Sequence, residues 1–176
     1  MGSLMVPFFV LLSTFVLFLI LGRWVASLTP WPNALRLSLA TMFWMTASAH
    51  WGSRRADLVQ MVPDLFPEPE LIVTLTGIAE VAGAIGLLVP RTAPYAAGAL
   101  AILLLAMFPA NVHAALEGLS IGGEAVTPLL PRTLIQIVFI VACLVAGFAK
   151  TEVPEAADGR LSERNPQGPM GPDRPM

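Results

Sequence analysis

Residues Leu71–Val89 read LIVTLTGIAEVAGAIGLLV and hold a single ionisable side chain, Glu80. At 1.5 Å per residue, a helix of this length crosses about 30 Å of hydrocarbon. Working outward, Leu4–Gly22, Thr92–Pro109 and Thr133–Ala149 are comparable runs with no acid or base at all. Ala34–Ala49 is a weaker fifth run, with only Arg36 near one end. The whole chain is 56% hydrophobic and 12% charged, about half the charge a soluble domain needs to clothe its surface. Five crossings as α-helices are therefore expected, joined by connections too short for a separate soluble domain. A net charge of −2 excludes a nucleic-acid partner that relies on a basic surface.

The first run is expected to be a retained helix rather than a cleaved signal, because Met1–Met5 is uncharged and the basic residue, Arg23, follows the apolar core. Pro30 and Pro32 then break the chain, and Asn33 is placed to cap helix two, about Ala34 to His50. The longest connection, Gly52–Glu70, contains a segment from Ala56 to Phe66 that reads as an interfacial piece over one mouth of the helices. Helix three follows at about Leu71–Val89. Helix four runs from about Thr92 to Ala115 with an interruption at Pro109, and helix five from about Arg132 to Ala149. From Thr151 onward the Pro, Gly, Glu and Arg content cannot build a core, and a disordered tail is expected. The organisation is thus an added N-terminal helix over residues 1–30, a four-helix transmembrane domain over 31–150 and a polar tail over 151–176.

Arg23, Arg36, Arg91, Lys150, Arg160 and Arg164 fall on one side of this threading, and Arg54, Arg55 and Arg132 on the other. The positive-inside rule places the first group in the cytoplasm, with the N-terminus outside and the C-terminus inside. Trp24, Trp31 and Trp51 sit near helix ends, where interfacial aromatics gather.

Glu80 is the strongest chemical signal. It lies about nine residues, or roughly 13 Å, into helix three, where a carboxylate costs on the order of 2.5–3.5 kcal/mol on insertion scales. Thr76, Gly77, Gly83 and Ala84 lie three or four residues from it and form a small-residue stripe that lets another helix approach. The choice between an interhelical hydrogen bond and a proton-handling or ligand-binding group is open. On helix five, Arg132, Gln136 and Cys143 share one face, and an interhelical hydrogen bond is the plainer role for Gln136. Asn111 and His113 follow Pro109, which frees a carbonyl in the preceding turn, and only one of them is expected to face inward. His50 ends helix two at a similar depth. Antiparallel threading gathers His50, Asn111, His113, Arg132 and Gln136 in the outer half, above Glu80, as a polar pocket. A single cysteine excludes dithiol chemistry within the chain, and no zinc spacing, phosphate loop or nucleophile elbow is present. No metal site and no intrinsic cofactor is expected.

These residues resemble the DoxX family of small membrane proteins. The likeness covers Ala34 to Ala149 and runs through Arg36, His50, the segment Val62-Pro63-Asp64-Leu65-Phe66-Pro67, the stretch Thr76–Leu88, then Phe108-Pro109-Ala110-Asn111-Val112-His113 and Arg132 with Gln136. The resemblance implies a four-helix bundle in a bacterial inner membrane. It also implies a role as accessory subunit of a membrane redox system linked to quinone or sulfur species, partnered by an oxidoreductase. It supplies no agreed catalytic set, and the first helix and the tail depart from its pattern. A proton-coupled transporter acting as a homo-oligomer and a non-catalytic scaffold are the alternative readings.

Overall fold

The computed structural model describes residues 5–25, 28 and 30–149; the tail expected from Thr151 lies outside them. Helix α1 is Met5–Leu21, α2 Trp31–Ser48, α3 Arg55–Met61, α4 Pro69–Leu88, α5 Ala93–Ala106 and α6 Phe108–Leu116. A two-residue hairpin, β1 (Ser120–Ile121) and β2 (Glu124–Ala125), precedes α7, Leu129–Phe148. The described chain is helical apart from that hairpin and its connections. Three spans are long and apolar enough to cross a membrane, namely Pro69–Leu88, Ala93–Leu116 (α5 and α6 as one kinked span) and Leu129–Phe148. Helix α1 is apolar but shorter, and α2 falls outside that set. Arg36, Asn33 and a run of Ser and Thr dilute the hydropathy of α2.

The helices start where backbone chemistry permits. Pro32, Pro69, Pro94 and Pro109 each lie in a first helical turn, where a missing N–H costs nothing. The expected Asn33 cap is not formed. Pro30 stands at the cap position of α2 without a side-chain cap bond, and the Asn33 Oδ1 instead accepts from Arg36 Nη1 at 3.4 Å. The chain enters α2 two residues earlier than Asn33 because Pro32 already has helical φ.

Four helices close a ring in which α2 packs on α4 and α7, while α5 packs on the same two. Leu39, Phe43, Leu87, Leu100 and Phe139 fill the centre with Cys143. Gly83 admits Leu100, since a Cβ there would lie 2.5 Å from the leucine Cγ. At the end remote from α3, Arg36 Nε donates to the Ala146 carbonyl at 2.8 Å, fixing α2 against the last turn of α7. Helix α1 packs on α2 through Leu11, Met5, Phe8 and Phe15, while Phe9, Leu12 and Val16 face outward.

Helix α3 and the hairpin roof the other end. Met61 and Leu58 pack on Ala114 and Ile121, and the Gly122 N–H donates to Asp57 Oδ2 at 2.7 Å. Gly122 has φ of +62°, a conformation that suits glycine. Arg55 ties the roof down. It donates to the His50 carbonyl at 2.9 Å, the Glu70 carbonyl at 3.1 Å and Thr74 Oγ1 at 2.9 Å, joining the end of α2 to the first turns of α4.

Candidate functional site

Beneath this roof lies a cavity of about 480 Å³. Its polar lining comes from Thr46 and His50 beside α2, Glu80 on α4, Asn111 on α6, and Arg132 and Gln136 on α7. Apolar walls come from Met42, Phe43, Met107 and Phe139, and Arg54 also lines the space. Val6 and Pro7 of α1 complete it, so the added N-terminal helix forms part of the wall. Of the six residues singled out from sequence, Glu80, His50, Asn111, Arg132 and Gln136 line this cavity and His113 does not. His113 is half-buried in the last turn of α6, its carbonyl accepting from the Glu117 N–H.

His50 reaches Glu80 because of Gly77. A Cβ on Gly77 would lie 2.7 Å from His50 Cβ, so only glycine lets the imidazole lie across α4 between Val73 and Glu80. The His50 Nδ1 stands 2.6 Å from the Val73 carbonyl. A carbonyl only accepts, so Nδ1 carries a hydrogen and Nε2 is turned toward Glu80. Nε2 and Glu80 Oε1 are 3.6 Å apart, and both side chains are about 5% exposed. A further proton taken up by the pair would sit on Nε2 or on the carboxyl. The separation exceeds a good hydrogen bond, leaving either group able to bond an atom held in the cavity.

Thr46 accommodates both locations of that proton. Its hydroxyl donates to Glu80 Oε2 at 2.8 Å and also lies 3.1 Å from the Phe43 carbonyl. A hydroxyl has one hydrogen and two acceptor lone pairs. Facing a carboxylate it donates to Glu80, and facing a protonated carboxyl it accepts while donating to Phe43.

The second network has a fixed direction. Arg132, 0% exposed, donates through Nη1 to Asn111 Oδ1 at 2.5 Å. Asn111 Nδ2 donates to Gln136 Oε1 at 2.8 Å, and Gln136 Nε2 donates to the Leu104 carbonyl at 2.5 Å. A guanidinium that only donates at one end, and a carbonyl that only accepts at the other, orient both amides between them. Leu104 is in the last turn of α5, where carbonyls lack helical partners. Gln136 therefore takes up a carbonyl near the end of α5, and Asn111 joins the same network through it.

Sequence reasoning passed over Thr46, Arg54 and the specific part of Gly77. Thr46 was detectable as a hydroxyl one turn before His50 on the same face. The Val73 and Leu104 carbonyls leave no mark in a sequence. As a class, this is a helical protein with long apolar spans and a polar cavity enclosed at one end of four of its helices. The chain belongs to the family described as "Domain of unknown function (DUF8561)", which matches residues 39–147. That match takes in the entire polar lining and leaves out α1. No curated protein and no solved structure matches the chain.

Proposed function

We propose that the chain is an integral protein of the bacterial inner membrane. In this reading the ring of α2, α4, α5 with α6, and α7 is a DoxX-like four-helix transmembrane bundle, α1 is a further crossing, and the roof faces outside. We propose further that it serves as accessory subunit of a membrane redox system, with the cavity receiving the head group of a quinone. The observation that carries this reading is the buried His50–Glu80 pair, 3.6 Å apart in the wall of a cavity that also presents Arg132. Burial of such groups among membrane-spanning helices is costly and accompanies function.

The residues suit that group. A volume of about 480 Å³ lies within the usual range for small-molecule sites, and Met42, Phe43, Met107 and Phe139 offer ring-contacting walls. A quinone supplies coupled electron and proton uptake. This chain would supply the proton at His50 Nε2 or Glu80, with Thr46 turning its hydroxyl to suit, and a cationic donor at Arg132. Electrons would come from a partner oxidoreductase. The test is calorimetric titration of a short-tailed benzoquinone into the purified protein in nanodiscs. Glu80→Gln is expected to weaken binding about ten-fold, the worth of about one charge-assisted hydrogen bond. Quinone reduction by membranes carrying the variant is expected to fall as well. Absence of binding to the unsubstituted protein, or no effect of Glu80→Gln on either measurement, would overturn the proposal.

A further inference from the structure

A second cavity, of about 280 Å³, lies between the first two turns of α4 and the kink that joins α5 to α6. Its α4 wall is Ile72, Val73 and Thr76, and the facing wall is Ala106, Met107, Pro109 and Ala110. Pro63 and Phe66, from the connection after α3, cover it. Beyond the kink, α6 packs on α3 and α7, which leaves the gap unfilled. His50, Leu58, Met61 and Met107 line both cavities and therefore form the partition between them.

The two spaces differ in chemistry. The first holds the His50–Glu80 pair and the Arg132–Asn111–Gln136 chain. In the second, His50 and Thr76 are the polar side chains, and the Thr76 hydroxyl is turned back on the Ile72 and Val73 carbonyls at 2.9 and 3.1 Å. Ala106 and Pro109, on its outer wall, are exposed. They are small and lie on a span of membrane-crossing length. Two of the partition residues are methionines, whose unbranched side chains change shape at little cost.

We infer that the second cavity is a lateral portal between α4 and the α5–α6 kink. A bilayer-dissolved amphiphile passes its head through the portal into the first cavity and leaves its apolar tail lying there. This deepens the functional reading above and rests on its membrane placement. A tail has nothing to bond and needs an apolar channel continuous with the lipid, whereas a water-soluble ligand needs none.

Two measurements on the full chain test it. In phosphatidylcholine nanodiscs whose acyl chains carry a photoactivatable diazirine, adducts are expected on Val73, Thr76 or Met107 inside the portal. Adducts confined to the outward-facing Leu71, Leu75 and Ile78 would overturn the inference. In the second, Ala106→Trp fills the portal without touching the polar site. Its affinity for a decyl-tailed benzoquinone is expected to drop about ten-fold, with affinity for the same head bearing only methyl groups unchanged. Equal loss for both probes, or loss for neither, would refute tail occupancy. If the unsubstituted protein binds neither quinone, the quinone assignment fails, and the diazirine labelling decides the portal by itself.

Discussion

Gly77 shows how much of the site hangs on one missing methyl group. Its Cα hydrogen is the surface against which His50 rests, with the Val73 carbonyl on one side and Glu80 on the other. Adding a Cβ pushes the imidazole out, because the nearest atoms are His50 Cβ and Cγ at 2.7 and 2.8 Å, too near the backbone to swing clear. Gly77→Ala is expected to cost about 1–3 kcal/mol, as overpacking does, and to lower the melting temperature in detergent. Gly98→Ala serves as the control, since a Cβ there meets nothing within 4 Å, and it should be neutral or slightly stabilising. Equal melting temperatures for the two variants would show that His50 does not depend on close approach to α4. Glu80 and the small residues around it were legible in the sequence because a lone acid in an apolar run stands out. The identity of its partner was not, since His50 is thirty residues away in the chain and reads as an ordinary helix-end histidine.

Among the elements, the α5–α6 kink has two consequences at once. It carries Asn111 to Gln136 and Arg132, and it leaves the gap beside α4. Proline at the second position of α6 breaks the hydrogen-bond ladder there, while Gln136 takes up the Leu104 carbonyl. Pro109→Ala is expected to let Ala93–Leu116 straighten, turning Asn111 away and depriving the buried Arg132 of that acceptor. The expected loss is about 1–3 kcal/mol, read as a lower melting temperature. No change would mean that the Gln136 contact, rather than the proline, holds the kink. Helix α1 changes standing once its contacts are seen. From sequence it is an appended strap, yet Val6 and Pro7 line the cavity, a contact that depends on where α1 leans against α2.

For the whole molecule, the proposed orientation rests on arginine placement. Arg91 lies in the turn between α4 and α5, and Arg54 and Arg55 lie beside the roof. In spheroplasts, a cysteine introduced by Leu65→Cys, at an 87% exposed roof position, is expected to react with a membrane-impermeant maleimide. A cysteine introduced by Arg91→Cys should react only after permeabilisation. The reverse pattern would invert the topology, and labelling of both from outside would reduce the number of crossings. Cys143 is fully buried and gives a low background.

The sequence by itself determined the long helices and their approximate ends. An apolar run of some twenty residues, closed by prolines and arginines, has one economical solution, a helix that satisfies its own backbone. It also marked Glu80, Arg132, Gln136 and Asn111 as groups needing partners, because depth in such a run makes an unpaired polar group expensive. Tertiary structure alone decided which groups meet. Helix rotation and tilt set the pairing of His50 with Glu80, the direction of the Arg132–Asn111–Gln136 chain, the exclusion of His113 and the second cavity beside the kink. Those quantities depend on side-chain packing between elements distant in sequence, and no local pattern encodes them.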